Sequence, residues 1–207
     1  MNNENAETTE KAKRIHDQAP SDVFAEFMRS GWAPSDFDGL EPLEVVTYAF
    51  ARRQVLSEAF PGIRLVLPAG GYKVRANDTD YQYRPHSAFA YYSGVQGADS
   101  TADAVLVMEP TEGGHLTYLY IHPRSTRDTD AFYRDAKYGE LWVGRRYTLA
   151  EAQARYQIDT RLVNDLEAFL KDGKETLIIR GEDAMVDGAV KKHDREAEFV
   201  TFTSEQR

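Results

Sequence analysis

Three short apolar runs punctuate the chain: IRLVLP at 63–68, AVLVME at 104–109 and LTYLYI at 116–121. Each is too short for a typical helix and rich in branched aliphatics, so each predicts a buried strand. The Glu112-Gly113-Gly114 turn between the last two predicts an antiparallel hairpin. LWV at 141–143 and TLIIR at 176–180 predict a fourth strand and a late one. Elsewhere the apolar positions follow helical spacing. Ser21 is placed to cap a helix whose Val23, Phe24, Phe27 and Met28 share a face. A longer helix is expected from about Pro42, suited to a first turn, to Phe60. Its apolar side would carry Leu43, Val46, Ala49, Phe50 and Leu56, with Arg52 and Arg53 turned outward or paired with acids. Pro61-Gly62 stops it.

Thr148 and Glu151 have capping-box spacing and predict a helix through about Tyr156. Asn164 is expected to cap another through Leu170, ended by Gly173 in a left-handed turn. The charged stretch 181–198 reads as surface, and residues 1–19 as a flexible polar arm. GWAPSDFDG at 31–39 reads as a turn-rich connection. The sum is an α/β protein, a mixed sheet with helices on its faces. Strands that are apolar throughout imply that both faces are covered.

Composition narrows the function. The 207 residues suffice for one sizeable domain. The net charge of −9 argues against general nucleic-acid binding, which requires a positive surface. With no cysteine, disulfides, thiolate zinc sites and cysteine nucleophiles are excluded, which fits a cytoplasmic protein. The apolar runs fall far short of the ~20 residues a membrane span needs.

Catalytic motifs are missing. There is no phosphate loop, no dinucleotide fingerprint, no HExxH and no GxSxG. His115 and His122 flank one predicted strand seven residues apart. They therefore point to opposite faces and do not share a metal. Ser87 beside His86 reads as the cap of a short helix through Tyr92, not as a nucleophile. The rings at 81–92 suit either core and interface packing or a stacking platform for a single strand. The acidic charge and the spacing of Phe89 and Tyr92 favour packing. Arg84 reads as an anion anchor or as the ion-pair partner of Asp78 or Asp80. Arg145 and Arg146 read as carboxylate binders or as partners of local acids.

Taken in order, several stretches resemble one family. RANDTDYQYRPHSAFAYYSG carries Arg75, Asp78, Tyr81, Tyr83, Arg84, Ser87, Phe89, Tyr91, Ser93 and Gly94 at the spacing found in the N-terminal domain of aminopeptidase P. That family is the Xaa-Pro aminopeptidase branch of the creatinase and prolidase superfamily. The strand AVLVME, then LYIHPRS, then Trp142, Gly144 and Arg146, then YQID follow as in that family. The resemblance covers roughly residues 45–180. It implies a single domain over 20–203 with a six-stranded mixed sheet flanked by helices, of ribonuclease H-like type. It also implies that 204–207 begin a linker to a C-terminal metallopeptidase domain. There, two Asp, one His and two Glu would hold two divalent ions, commonly manganese.

The resemblance therefore implies a non-catalytic domain, without metal of its own, in a parent enzyme that cleaves the N-terminal Xaa-Pro bond. Its partners would be its own catalytic domain, further copies in a homodimer or larger oligomer, and a peptide with proline second. Ala90, Tyr91, Tyr92, Arg145 and Arg146 would face the substrate groove of the assembled enzyme. Some relatives carry a tryptophan where Ala90 stands. Arg84, Ser87, Phe89, Gly94, Trp142 and Gly144 would be structural. The same fold serves in a histone-chaperone subunit, so a peptide- or histone-binding module is the alternative, as is a creatinase- or prolidase-type parent.

Overall fold

The computed structural model describes residues 21–190. In chain order it contains α1 (Asp22–Arg29), α2 (Val46–Ala59), β1 (Arg64–Pro68), β2 (Val74–Ala76), β3 (Thr79–Asp80), α3 (Ser87–Ser93), β4 (Val105–Thr111), β5 (Gly114–Ile121), α4 (Ala131–Arg134), α5 (Glu140–Val143), α6 (Leu149–Tyr156), β6 (Asp159–Leu162), α7 (Leu166–Leu170), β7 (Thr176–Ile178) and α8 (Ala184–Ala189). These fall into two compact units, residues 21–35 with 125–144 and residues 36–124 with 145–190.

The larger unit is built on a five-stranded sheet ordered β6-β5-β4-β1-β7. β4 and β5 form the expected hairpin, and β1 lies antiparallel to β4. β6 and β7 add in parallel at the two edges. The resemblance implies six strands in one sheet, and the structure corrects this. β2 and β3 pair only with each other. Their residues, Val74 and members of the polar run RANDTD, are all exposed and do not pack on the main sheet. Asn77 turns that ribbon with φ 50°, a left-handed conformation that asparagine tolerates.

Alternation along the strands divides the core. Leu65, Leu67, Leu106, Met108, Leu119 and Ile121 face one side, against Phe89, Ala152 and Tyr156. Val66, Val105, Val107 and Tyr120 face the other, against Leu166, Leu170 and Val186. Helices thus cover both faces, as the apolar strands predict.

One residue inside IRLVLP breaks the apolar rule. Arg64 is fully buried on the α7 side of the sheet. It donates to Glu109 of β4 through Nε and Nη2, and through both Nη atoms to Asp172, at 2.9 and 2.7 Å. Its guanidinium also lies 4.4 Å from the centroid of the Phe169 ring. Lys174 makes a further ion pair with Glu109. Burial alone would push the Glu109 carboxyl up, yet the bonds from Arg64 and Lys174 outweigh it and hold the carboxyl low. The arginine is raised above its ordinary value, the bonds to Asp172 and Glu109 exceeding the cost of burial.

Several local expectations change. α2 begins at Val46, so Pro42 precedes the helix. Phe50 is exposed, while Arg53 and Ser57 are buried. Asn164 caps no helix. A 3₁₀ turn, Val163–Asp165, leads directly into α7. The 181–190 part of the charged stretch is not all surface. Asp183 caps α8 through the amides of Met185 and Val186, and Val186 and Val190 are buried. Residues 191–198 of that stretch, the arm at 1–19 and the linker at 204–207 lie outside the described residues. The Thr148–Glu151 capping box is present in full. Gly173 takes φ 80°, as its turn requires.

In the smaller unit Ser21 caps α1 by accepting from the Phe24 amide. Its buried residue is Ala25, packed with Phe132 and Tyr133, whereas Val23 and Phe27 point to solvent. LWV is a helical turn, α5, and not a strand. Gly139 precedes it, and the Gly144 amide closes it on the Glu140 carbonyl. Three apolar residues carry too little periodicity to separate the two states.

Replacing Arg64 by Ala leaves Glu109 buried without its main cation. The expected cost is about 3–5 kcal/mol, read as a lower urea midpoint. Acid gives a second readout. The Arg64 hydrogen bond holds the Asp172 carboxyl at about 2, below its ordinary 3.8. A carboxyl depressed in the folded state stabilises above its unfolded value and loses that contribution as pH falls through the folded value. Stability of the native chain should therefore fall between about pH 4 and pH 2. Arg64→Ala should flatten that part of the profile.

Candidate functional site

The stretch 81–94 is anchored to the end of β1 by His86 and Tyr83. The His86 amide donates to the Ala69 carbonyl at 2.8 Å. The Tyr83 hydroxyl donates to the Gly70 carbonyl at 3.0 Å and reaches the Thr101 carbonyl at 3.2 Å. Burial pushes that hydroxyl well above the ordinary tyrosine range, so it stays a proton donor. Pro85 is buried between these anchors.

α3 then opens, and its cap differs from expectation. His86 is the cap residue, its Nδ1 accepting from the Ala88 amide at 3.2 Å. Ser87 is the first helical residue, and its hydroxyl instead accepts from Arg84 at 3.2 Å. Phe89 is fully buried in the core, and Ser93 bonds back to the Phe89 carbonyl at 2.7 Å. Gly94 ends the helix at φ 79°, where a Cβ would lie 2.9 Å from the Val45 side chain. Conformation and space both require glycine there.

Two arginines of α2 complete the end of α3, and the sequence reading missed their role. Arg53 is buried and donates to the Tyr92 carbonyl at 2.7 Å. Burial lowers its pKa to about 10. Arg52 donates to the Tyr91 carbonyl at 3.1 Å and lies 4.2 Å from the centroid of the Tyr91 ring. Carbonyls of a last helical turn lack intrahelical donors, and cations satisfy them well. The sequence does carry a signal: Arg53 stands four residues from both Ala49 and Ser57, on the inward stripe of α2.

The outcome is a displayed face. Ala90 and Tyr92 are half-buried, and Tyr91 is 51% exposed. Tyr91 and Tyr92 meet edge to face at 5.0 Å. Ala90 and Tyr91, with Arg52, Arg84, Pro85 and Gln96, line a shallow groove of about 740 Å³.

The other expected groove residues do not line it. Arg146 is buried. Arg145 is exposed, but its guanidinium stacks 4.1 Å from the Phe37 ring and donates to the Asp36 carbonyl. Phe37 in turn packs on Tyr147 at 4.7 Å. Trp142 and Gly144 belong to the smaller unit, where the Trp142 indole donates to the Tyr133 carbonyl at 2.7 Å.

His115 is held between groups of the larger unit. One ring nitrogen lies 2.8 Å from the Ile63 carbonyl, to which it must donate. The other therefore accepts from the Ser57 hydroxyl at 2.7 Å. Among the described residues no three His, Asp or Glu side chains gather where a metal ion could bind.

A family model described as the N-terminal domain of aminopeptidase P matches residues 49–179. Xaa-Pro aminopeptidase 1 of Streptomyces coelicolor is 43% identical over 191 residues, covering 90% of this chain and 38% of the relative. Xaa-Pro aminopeptidase 2 of the same species is 41% identical over 184 residues, covering 87% of this chain and again 38% of the relative. The chain thus spans well under half the length of these relatives. Among solved structures, aminopeptidase P from E. coli with the inhibitor Pro-Leu aligns with a TM-score of 0.56 at 24% identity, over 72% of this chain and 32% of that one. Proline aminopeptidase P II from Yersinia pestis aligns at 0.54 and 22%, over 70% and 31%. These structures establish likeness of fold.

The two α2 arginines should be separable by stability. Arg53→Met removes a buried charged donor and is expected to cost about 1.5–3 kcal/mol in urea denaturation. Arg52→Met removes a partly exposed contact and should cost about 1 kcal/mol or less. Equal costs would contradict the assignment of Arg53 as the buried clamp.

Proposed function

Because this chain belongs to the aminopeptidase P N-terminal domain family, we propose that it is the non-catalytic N-terminal domain of a metal-dependent Xaa-Pro aminopeptidase. The observation that carries the reading is one of coverage. Identity of 43% extends over 90% of this chain yet reaches only 38% of the relative. The relatives therefore hold most of their length, and on this reading their catalytic machinery, elsewhere.

On the same reading the parent cleaves the peptide bond before a proline in second position, in a C-terminal domain holding two divalent ions. Manganese is our expectation. A zinc-substituted form of the E. coli enzyme has been solved in complex with product, which is compatible with divalent-metal chemistry in that protein. Within the parent, the two ions would supply Lewis-acid activation of water and of the scissile carbonyl. This chain's part would be to supply a wall. Tyr91, with Ala90 and Tyr92 beside it, would face the groove of its own or a neighbouring catalytic domain. Arg52 and Arg53 would hold that face in position through the α3 carbonyls. Arg145 and Arg146 do not line the Ala90–Tyr91 groove of this chain, and we assign them to the substrate groove only of the assembled enzyme, with Arg145 as the exposed member.

Assembly into a homodimer or larger oligomer, a cytoplasmic location and a ribonuclease H-like arrangement of the sheet belong to the same reading. The absence of cysteine supports the location. No helix among the described residues is long and apolar enough to cross a membrane.

The purified chain, supplied with manganese and Ala-Pro-Ala, is expected to release no alanine above the buffer rate. Turnover that copurifies with the chain and disappears with chelator would overturn the reading. Sedimentation velocity addresses assembly separately: a concentration-dependent shift to dimer or larger species is expected.

A further inference from the structure

The strip 82–87 also lines a second hollow. There a cleft of about 260 Å³ opens beside the β1 end, walled by Lys73, Tyr81, Arg84, His86 and Ser87 and closed at one edge by Glu182. Its cations stand out against the charge of the molecule. The chain carries −9 overall, yet this cleft gathers a lysine and an arginine beside His86, with the carboxylates of Glu182 and Asp103 against its glycine floor.

Two readings of Arg84 stand at the level of sequence, anion anchor or ion-pair partner of Asp78 or Asp80. The structure removes the second. Among the described residues Arg84 makes no ion pair, and its one side-chain hydrogen bond goes to the Ser87 hydroxyl at 3.2 Å. A guanidinium has five N–H donors in a planar fork, so most of them remain available to a ligand. Lys73 likewise makes no ion pair among the described residues, although its backbone carbonyl accepts from the Tyr81 amide at 2.9 Å.

The frame is also rigid. Pro85 is buried directly after Arg84, the His86 amide is bonded to Ala69, and the Tyr83 hydroxyl is bonded to Gly70. The cations are therefore mounted on backbone that is already fixed, which lowers the ordering cost of binding. The floor is bare as well. Gly70 sits at φ 79°, and a Cβ there would come 3.1 Å from a Glu182 carboxylate oxygen. A carboxylate thus already lies against this floor, supplied by the chain itself.

We propose that this cleft is a carboxylate-binding site, with Arg84 as the principal ligand and Lys73 as the second cation. The carboxylate would come from a peptide, as its C-terminus or as an aspartate or glutamate side chain. The proposal goes beyond the aminopeptidase reading and stands if the parent enzyme cleaves some other bond, although Arg84 also lines the groove beside Ala90 and Tyr91.

NMR titration of the chain tests it. The probes are Ala-Pro-Ala as free acid, the same peptide as its C-terminal amide, and N-acetyl-aspartate amide. The free acid or the aspartate derivative should produce saturable shifts at the Gly70, Gly71 and Ser87 amides and at the Arg84 Nε–H. Saturation by the first alone identifies a peptide terminus, and saturation by the second alone an acidic side chain. Arg84→Gln should weaken binding about tenfold. Lys73→Gln should weaken it less, and Arg134→Gln in the smaller unit should leave it unchanged. Equal binding of the peptide amide, shifts that grow without saturation at surface cations generally, or indifference to both Arg84→Gln and Lys73→Gln would overturn the proposal.

Discussion

The buried guanidinium of Arg64 fixes the strand from which the rest of the larger unit is hung. Among the described residues β1 alone joins the β4–β5 hairpin to the parallel edge strand β7, so its register sets both halves of the sheet. Arg64 stands where β1 enters the sheet, and it bonds across to Glu109 on β4 and out to Asp172 in the turn before β7. A slip of one residue would turn the charge to the opposite face, beside Met108 and away from Glu109 and Asp172. Isolated buried charges are too costly for that alternative to compete. The ion cluster therefore selects one register among those the apolar residues alone would permit, the role for which buried charges are best suited.

The other end of β1 carries this order to the site. Ala69 and Gly70, directly after the strand, hold His86 and Tyr83. Those contacts place the 82–87 strip, which starts α3, and α2 closes the far end of α3 with two arginines. Every step from Arg64 to Tyr91 is a hydrogen bond or a packed side chain within one unit. The exposed tyrosine is thus the outer end of a rigid frame. A face that must meet a partner with little ordering cost is best built in this way.

Much of this was legible in the residues. Short continuous apolar runs marked β1, β4 and β5, because β1 and most of β4 are buried on both faces and all three carry branched aliphatics. The α6 capping box was legible because its chemistry is local. What escaped notice depended on distant partners or lacked a face to bury. Arg64 sits within an otherwise apolar run, and only the placement of Glu109 and Asp172, 45 and 108 residues away, makes its burial tolerable. Arg53 was read as turned outward or paired with an acid, because its acceptor is a backbone carbonyl, which sequence does not display. β2 and β3 carry no apolar stripe. β6, with the sequence DTRL, is an edge strand whose pattern is too short to stand out. Of the candidate site, Ala90 and Tyr91 were named through the family's spacing and line a groove in the structure, and Phe89 was read correctly as core. The cap passed from Ser87 to His86 because an imidazole nitrogen accepts the Ala88 amide as well as a hydroxyl would.

The account's central claim is that Tyr91 and its neighbours form a prepared surface that another part of a larger enzyme covers. Hydroxyl-radical footprinting of Tyr91 measures this directly. It compares this chain alone with a protein of the full length that the Streptomyces relatives have. In the isolated chain, where the ring is 51% exposed, labelling should be substantial. In the longer protein it should fall several-fold. Equal labelling of Tyr91 in the two would contradict the claim.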